Sequence, residues 1–256
     1  MIFGQNSIFR NIPQVTLNLL ILNTLIWLFM ALIPAADQVL TRNLALFYFS
    51  SPGFQPFQLI SYMFLHGSFG HLFFNMFALF MFGGTIERTM GSARFLFYYL
   101  TCGICAALVQ MGVFAYVING IENTIADPQL CREAIDQGWE VFRQTGRSIA
   151  WPAYPELSLL NNYVNTPLVG ASGAIYGVLL AFGFLFPNAP IYIFFIPIPI
   201  KAKWLIIGYF VLELAYGLGG VADSVAHFAH LGGMIFGFLL LLYWKKKGVF
   251  NNHWFF

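Results

Sequence analysis

Eight polar side chains lie in or beside stretches that are otherwise apolar: His66, His71, Asn75, Ser172, Tyr176, Glu213, His227 and His230. Polar groups at membrane depth are costly and are kept for function or pairing. The chemistry these residue types could do is acyl transfer. Gly170-Ala171-Ser172-Gly173 opens an apolar run after Pro167. A Ser at a helix start has its hydroxyl beside unpaired backbone N–H groups, which attract negative charge, as an oxyanion formed from a carbonyl requires. The same string also suits an ordinary N-cap Ser with glycines for close packing. A Ser nucleophile needs a base, and His227 and His230, one turn apart, are both candidates. The plainer reading of His227 is interfacial anchoring. Tyr176, four residues after Ser172, shares its helix face and could hold an imidazole in place. His71 and Asn75, also four apart, can both donate to a negative oxygen; a structural contact between helices is the alternative. His66 stands five residues before His71, at a loop–helix junction.

Glycines supply the means of bringing these groups together. Gly173 and Gly177 form one G-x-x-x-G strip, and Gly233 and Gly237 form another just after His230. Strips of this kind let helices approach closely, so Ser172 and His230 are expected to meet.

The elements that carry them are membrane spans. Of 256 residues, 59% are hydrophobic and only 9% charged, against about 25% charged in a soluble domain. Six apolar runs, Leu17–Ile33, Leu72–Ile86, Phe95–Ile118, Leu168–Phe186, Trp204–Tyr216 and Phe228–Trp244, each hold at most one charge. The expected fold is all-α: a polytopic bundle of six transmembrane helices, the shorter runs borrowing flanking residues to approach about 20. One membrane domain covers residues 1–256, with its core at about 15–246. The first run is too long for a signal h-region and reads as an uncleaved first span.

Placing the N-terminus inside puts eight cations on the inner segments (Arg10, Arg88, Arg94, Lys201, Lys203 and Lys245–Lys247). It leaves four outside: Arg42, Arg132, Arg143 and Arg147. Both termini are therefore expected in the cytoplasm, and the polar set falls toward the outer face. A bacterial plasma membrane is the expected location. The net charge of +2 comes with no basic patch beyond Lys245–Lys247, so nucleic acid is not an expected partner; the lipid bilayer is. Three cysteines make no disulfide framework. Cys102 and Cys105 read as small packing residues, and Cys131 stands alone.

Two outer connections are long. Residues 34–68 are apolar and Pro-rich, and suit a loop partly in the outer leaflet. Residues 119–167 form an extracytoplasmic insertion. Within it, Asp127-Pro128 reads as an N-cap with Pro at the first helical position. Leu130, Ala134, Ile135, Trp139 and Phe142 then mark an amphipathic helix that Gly146 ends, suited to resting on the bilayer surface. The inner connection Pro187–Pro199 is expected to hug the inner interface.

Taken together, His66-x4-His71-x3-Asn75, Gly170-Ala171-Ser172-Gly173 with Tyr176, and Ala229-His230-Leu231-Gly232-Gly233 with Gly237 resemble the rhomboid family of intramembrane serine proteases. The inner loop Glu87–Arg94 is similar to that family's Glu and Gly-Ser signature. The resemblance covers about Val15 to Trp244. It implies a Ser172–His230 dyad open to the extracytoplasmic side, with Ser172 as nucleophile and His230 as base. An oxyanion hole would come from the Ser172 N–H, the Asn75 amide and His71, and Tyr176 would stack on His230. Gly170, Gly173 and His66 would support the site. Transmembrane proteins would be the substrates, with no cofactor and no metal. Where family members often carry Trp-Arg, the first outer loop here has Phe57-Gln58, which bears on loop stability or membrane seating.

A dyad is expected because no acid stands at the spacing of a third member: Asp223 lies in a short loop and Glu213 deeper in the fifth span. Two rival readings differ in kind. One is a non-proteolytic rhomboid-like factor that binds and sorts membrane proteins, and it should lack the nucleophile or base. The other is a transporter whose His66, His71, His227 and His230 bind a metal; it calls for carboxylate partners, of which the spans offer Glu213.

Overall fold

In hydrocarbon every backbone polar group must be satisfied within its own segment, and apolar runs of this length answer that with helices. The structure, a computed structural model, describes residues 12–192, 199–219 and 226–250; Arg10 and Asp223 fall outside them. The elements run α1 (Gln14–Leu32), α2 (Pro34–Leu44) and α3 (Gln58–Ser61), then α4 (Phe69–Ala78), a π-helical turn (Leu79–Gly83) and α5 (Gly84–Met90). They continue with α6 (Ser92–Ile125), α7 (Pro128–Thr145), α8 (Pro155–Asn165) and α9 (Ser172–Leu185). A two-stranded antiparallel ribbon, β1 (Pro190–Ile191) with β2 (Ile200–Lys201), leads into α10 (Ala202–Leu218) and α11 (His227–Lys246).

Among the described residues four helical rods are long and apolar enough to cross a bilayer: Gln14–Leu32, Phe69–Met90, Ser92–Ile125 and His227–Lys246. With the shorter α9 and α10 they make the six-helix membrane bundle. The centre is the packing of α11 against α6 and α9, around Phe95, Tyr98, Tyr99, Met111 and Met234. The outer faces of α1 and α10 carry exposed Leu25, Phe29, Leu32, Trp204, Val211 and Leu212, as lipid-facing helices should.

The fourth apolar run begins at Leu168, but its helix begins at Ser172, where the helix-start reading of that residue puts it, because Leu168 pairs with Leu46 of the first long loop: Leu46 N donates to Leu168 O (3.0 Å) and Leu168 N to Leu46 O (2.8 Å). At 14 residues α9 is about 21 Å long, short of a hydrocarbon core about 30 Å thick.

Two clamps hold the bundle. At one end, the Glu87 carboxylate accepts from Val15 N (3.0 Å), Thr16 N (2.7 Å), Thr16 Oγ1 (2.8 Å) and Ser92 Oγ (2.7 Å). It thereby satisfies first-turn donors of α1 that would otherwise be orphaned. At the other end, buried Gln58 organises the first loop. Its Oε1 accepts from Gln55 N (3.1 Å) and Phe47 N (3.4 Å), and its Nε2 donates to Gly53 O (3.0 Å) and Asn43 O (3.2 Å).

The amphipathic helix is α7, with Asp127 Oδ1 accepting from Gln129 N and Leu130 N, and Gly146 at φ 69°. Its apolar face does not rest on lipid. Trp139 and Phe142 pack edge-on against Phe47 at 5.2 and 5.5 Å, and Cys131 and Ile135 pack with Leu160 and Val164 of α8. Burial pushes the Cys131 thiol up, so this lone cysteine stays a packing residue. The expected surface helix is instead part of a cap over the first outer loop.

Candidate active site

Helices α4, α9 and α11 begin at one end of the bundle, and α10 ends there. Their termini bring the polar set together. Gly173 and Gly233 permit it: a Cβ on Gly233 would stand 1.9 Å from Gly173 O. The two expected strips therefore do meet at Gly173, Gly177 and Gly233. Gly237 differs, since it abuts Tyr98 and Cys102 of α6 rather than α9. Tyr98 Oη donates to Gly177 O (2.8 Å), and the Ala229 N–H, in the first turn of α11, donates to Gln110 Oε1 (3.1 Å).

The result is a hydroxyl facing an imidazole. Ser172 Oγ lies 2.8 Å from His230 Nε2. The Tyr176 ring stacks on the His230 ring with centroids 4.2 Å apart and planes 10° from parallel. Ser172 is half-buried, and His230 is 7% exposed.

On the facing helix α4, His71 lies against the loop that delivers Ser172. Gly170 has φ 128°, and a Cβ there would fall 2.6 Å from the His71 ring. Only glycine fits both the backbone and the space. Gly170 N donates to Tyr62 O (3.0 Å), which fixes the loop. Asn75, one turn along from His71, is buried, and its Nδ2 has no hydrogen-bond partner among the described residues. His66 is buried beside His71, ring centroids 5.0 Å apart, with neither ring nitrogen bonded among the described residues.

Two residues answer differently from the sequence reading. Glu213 is not remote: its Oε2 lies 2.6 Å from His227 Nδ1 and 3.1 Å from His230 Nδ1, and Tyr176 Oη donates to its Oε1. The approach to His230 is close in distance but poorly aligned with the ring N–H direction, and Nδ1 has no other partner. His227 is a buried partner of that carboxylate rather than an interfacial anchor. Chain direction held the missed signal: α10 ends where α11 begins, so a residue five before the end at Leu218 lies level with His230, three residues after the start of α11. Gln110 carried a signal too, as an amide in mid-span.

Glu213, His227 and His230 are also the group of described residues whose ligand atoms lie close enough, within 4.8 Å of one another, to hold a metal ion. The separations of 2.6 and 3.1 Å are those of hydrogen-bonded or ion-paired groups.

A model of the rhomboid domain matches residues 53–121 and 153–247, more than half of the chain. The chain belongs to the rhomboid family. This rhomboid is 29% identical over 191 residues to Rhomboid protein 1, mitochondrial, of Saccharomyces cerevisiae, covering 73% of this chain and 42% of that protein. To RHOMBOID-like protein 12, mitochondrial, of Arabidopsis thaliana it is 30% identical over 177 residues, covering 68% and 42%. It is 38% identical over 96 residues to YdcA of Bacillus subtilis, which also carries rhomboid in its name; that match covers 37% of this chain and 47% of YdcA. The chain thus spans about half the length, or less, of these relatives. The two matched segments flank α7. The chain is a multi-pass integral membrane protein, as its family and its apolar helices require.

Proposed function

We propose that this rhomboid is an intramembrane serine endopeptidase that hydrolyses peptide bonds of transmembrane proteins, with Ser172 as nucleophile and His230 as base. The observation that carries the reading is the 2.8 Å approach of Ser172 Oγ to His230 Nε2, beneath the stacked Tyr176 ring. A hydroxyl at this distance from an imidazole is the arrangement nucleophilic catalysis requires. The Ser172 oxygen attacks the peptide carbonyl carbon as its proton passes to Nε2. The C–N bond then breaks, and the same proton goes to the leaving amine. Water attacks the acyl-enzyme, gives a proton to His230, and Ser172 leaves with that proton restored. The oxyanion would be received by the Ser172 N–H, His71 and Asn75. In support of that role, the Asn75 donor is unpartnered among the described residues and His71 sits against Gly170.

Substrates of this reading are single-span proteins whose helix unwinds near its outer end, beside the N-terminus of α9. The location belongs to the proposal as well. A bacterial plasma membrane agrees with the B. subtilis relative, whereas the yeast and Arabidopsis relatives are named mitochondrial. Membrane fractionation of the source cell decides.

The test is cleavage of a fluorogenic transmembrane peptide by the purified chain in liposomes. Wild type is expected to cleave it and to react with a fluorophosphonate; Ser172→Ala and His230→Ala are expected to do neither. Cleavage undiminished in Ser172→Ala would refute the assignment, and a wild type that binds such helices without cutting them would favour the sorting reading. Removal of divalent metals by a chelator is expected to leave the rate unchanged. A rate abolished by the chelator and restored by zinc would point instead to a metal held by Glu213, His227 and His230.

A further inference from the structure

We infer that Glu213 is a positioning residue that turns the Ser172–His230 pair into a three-part relay, holding the His230 ring in the tautomer and orientation that the base needs. The inference rests on the protease reading above.

A carboxylate accepts hydrogen bonds and donates none. Glu213 Oε2 faces Nδ1 of His227 at 2.6 Å and Nδ1 of His230 at 3.1 Å, so on both rings the proton belongs on Nδ1. That leaves Nε2 of His230 as a lone pair, and it is this nitrogen that lies 2.8 Å from Ser172 Oγ. The assignment that satisfies Glu213 is therefore the one that arms His230 to take the Ser172 proton. Once that proton is taken, the imidazolium cation forms 3.1 Å from a negative oxygen, in a place where Glu213 and His230 are each 7% exposed. Charge placed there strengthens as water is excluded. The poor alignment of the resting contact is common before substrate binds, since such bonds tighten in the complex.

The partners of Glu213 also argue for positioning over plain packing. Tyr176 covers the face of the His230 ring and gives its hydroxyl to the same carboxylate, so one unit holds both face and edge of the base. His227, itself stacked on Tyr216, occupies the remaining approach to Oε2 and holds the rotamer. The groups facing His230 are Ser172 and Tyr176 from α9, Glu213 from α10, His227 from its own helix and His71 from α4. Among these, Glu213 is the sole acid.

The experiment uses the full chain in liposomes and compares wild type, Ser172→Ala, Glu213→Gln and Glu213→Asp for kcat, KM and thermal unfolding. Glu213→Gln is expected to lower kcat by roughly 10²- to 10⁴-fold with KM within about threefold. Glu213→Asp, which keeps the charge one methylene further back, is expected to recover about tenfold of the lost kcat and to stay below wild type. The inference is overturned if Glu213→Gln keeps kcat within about threefold while Ser172→Ala is inactive. Equal cleavage by Ser172→Ala would instead bring down the protease reading itself, a separate result. Should Glu213→Gln show no unfolding transition, Glu213→Asp decides: kcat reduced about tenfold at constant KM supports the role, and full kcat overturns it.

Discussion

Asn75 presents a buried amide N–H pair with no acceptor among the described residues, and a buried donor left unpaired is costly unless a ligand supplies the acceptor. If the ligand is an oxyanion, the loss on removal appears in the transition state and not in substrate binding. Asn75→Ala is accordingly expected to lower kcat by about 10²- to 10³-fold with little change in KM, measured with the transmembrane peptide in liposomes. An unchanged kcat would reduce Asn75 to an interhelical contact. At this scale the sequence was informative wherever spacing along one helix decides the neighbour. Ser172 with Tyr176, and His71 with Asn75, follow from the i, i+4 rule, and the Ser172–His230 meeting follows from two glycine strips. Glu213 and Gln110 belong to other helices, and the rotation of one helix about its axis against another is not written in local spacing.

Between helices, contact is set by side-chain volume, because lipid tails offer no hydrophobic advantage over a packed interface. Gly233 is the strict position: a single methyl there would sit 1.9 Å from the Gly173 carbonyl oxygen, and relief requires α9 and α11 to separate. Gly233→Ala is expected to cost about 1–3 kcal/mol and to lengthen the Ser172–His230 contact, seen as a lower melting temperature and slower fluorophosphonate labelling together. Gly112→Ala, with open space around its Cβ, is the control and should lower neither. The sequence also left elements unseen. Helix α8 is obscured by Asn161 and Asn165, which read as loop residues. In the fold they are buried in a polar network, Asn165 Nδ2 donating to Ile135 O (2.8 Å) and to Asn161 Oδ1 (2.9 Å). The apolar run that contains α9 starts four residues before the helix itself, because Leu168 pairs with Leu46 instead of continuing the helix.

Across the molecule, the reacting groups gather at one end and the Glu87 clamp holds the other. Removing that clamp leaves first-turn donors of α1 unpaired far from Ser172. Glu87→Ala is expected to lower stability by about 3 kcal/mol while the folded fraction labels with fluorophosphonate at the wild-type rate. Loss of labelling at full stability would contradict the separation of ends. The rod Phe69–Met90 serves both ends at once, presenting Asn75 and His71 to α9 and Glu87 to α1, and its wider turn at Leu79–Gly83 lies between them. Such a turn absorbs one residue beyond the regular helical count, which resets the azimuth of all that follows by roughly 100°. The two halves of this helix are thus separately phased, and the twelve-position interval from Asn75 to Glu87 is a fixed gear ratio. Deletion of one residue there would return the turn to regular helix with Glu87 still facing Thr16, whereas substitutions that regularise Leu79–Gly83 at the same count would swing Glu87 away by that angle.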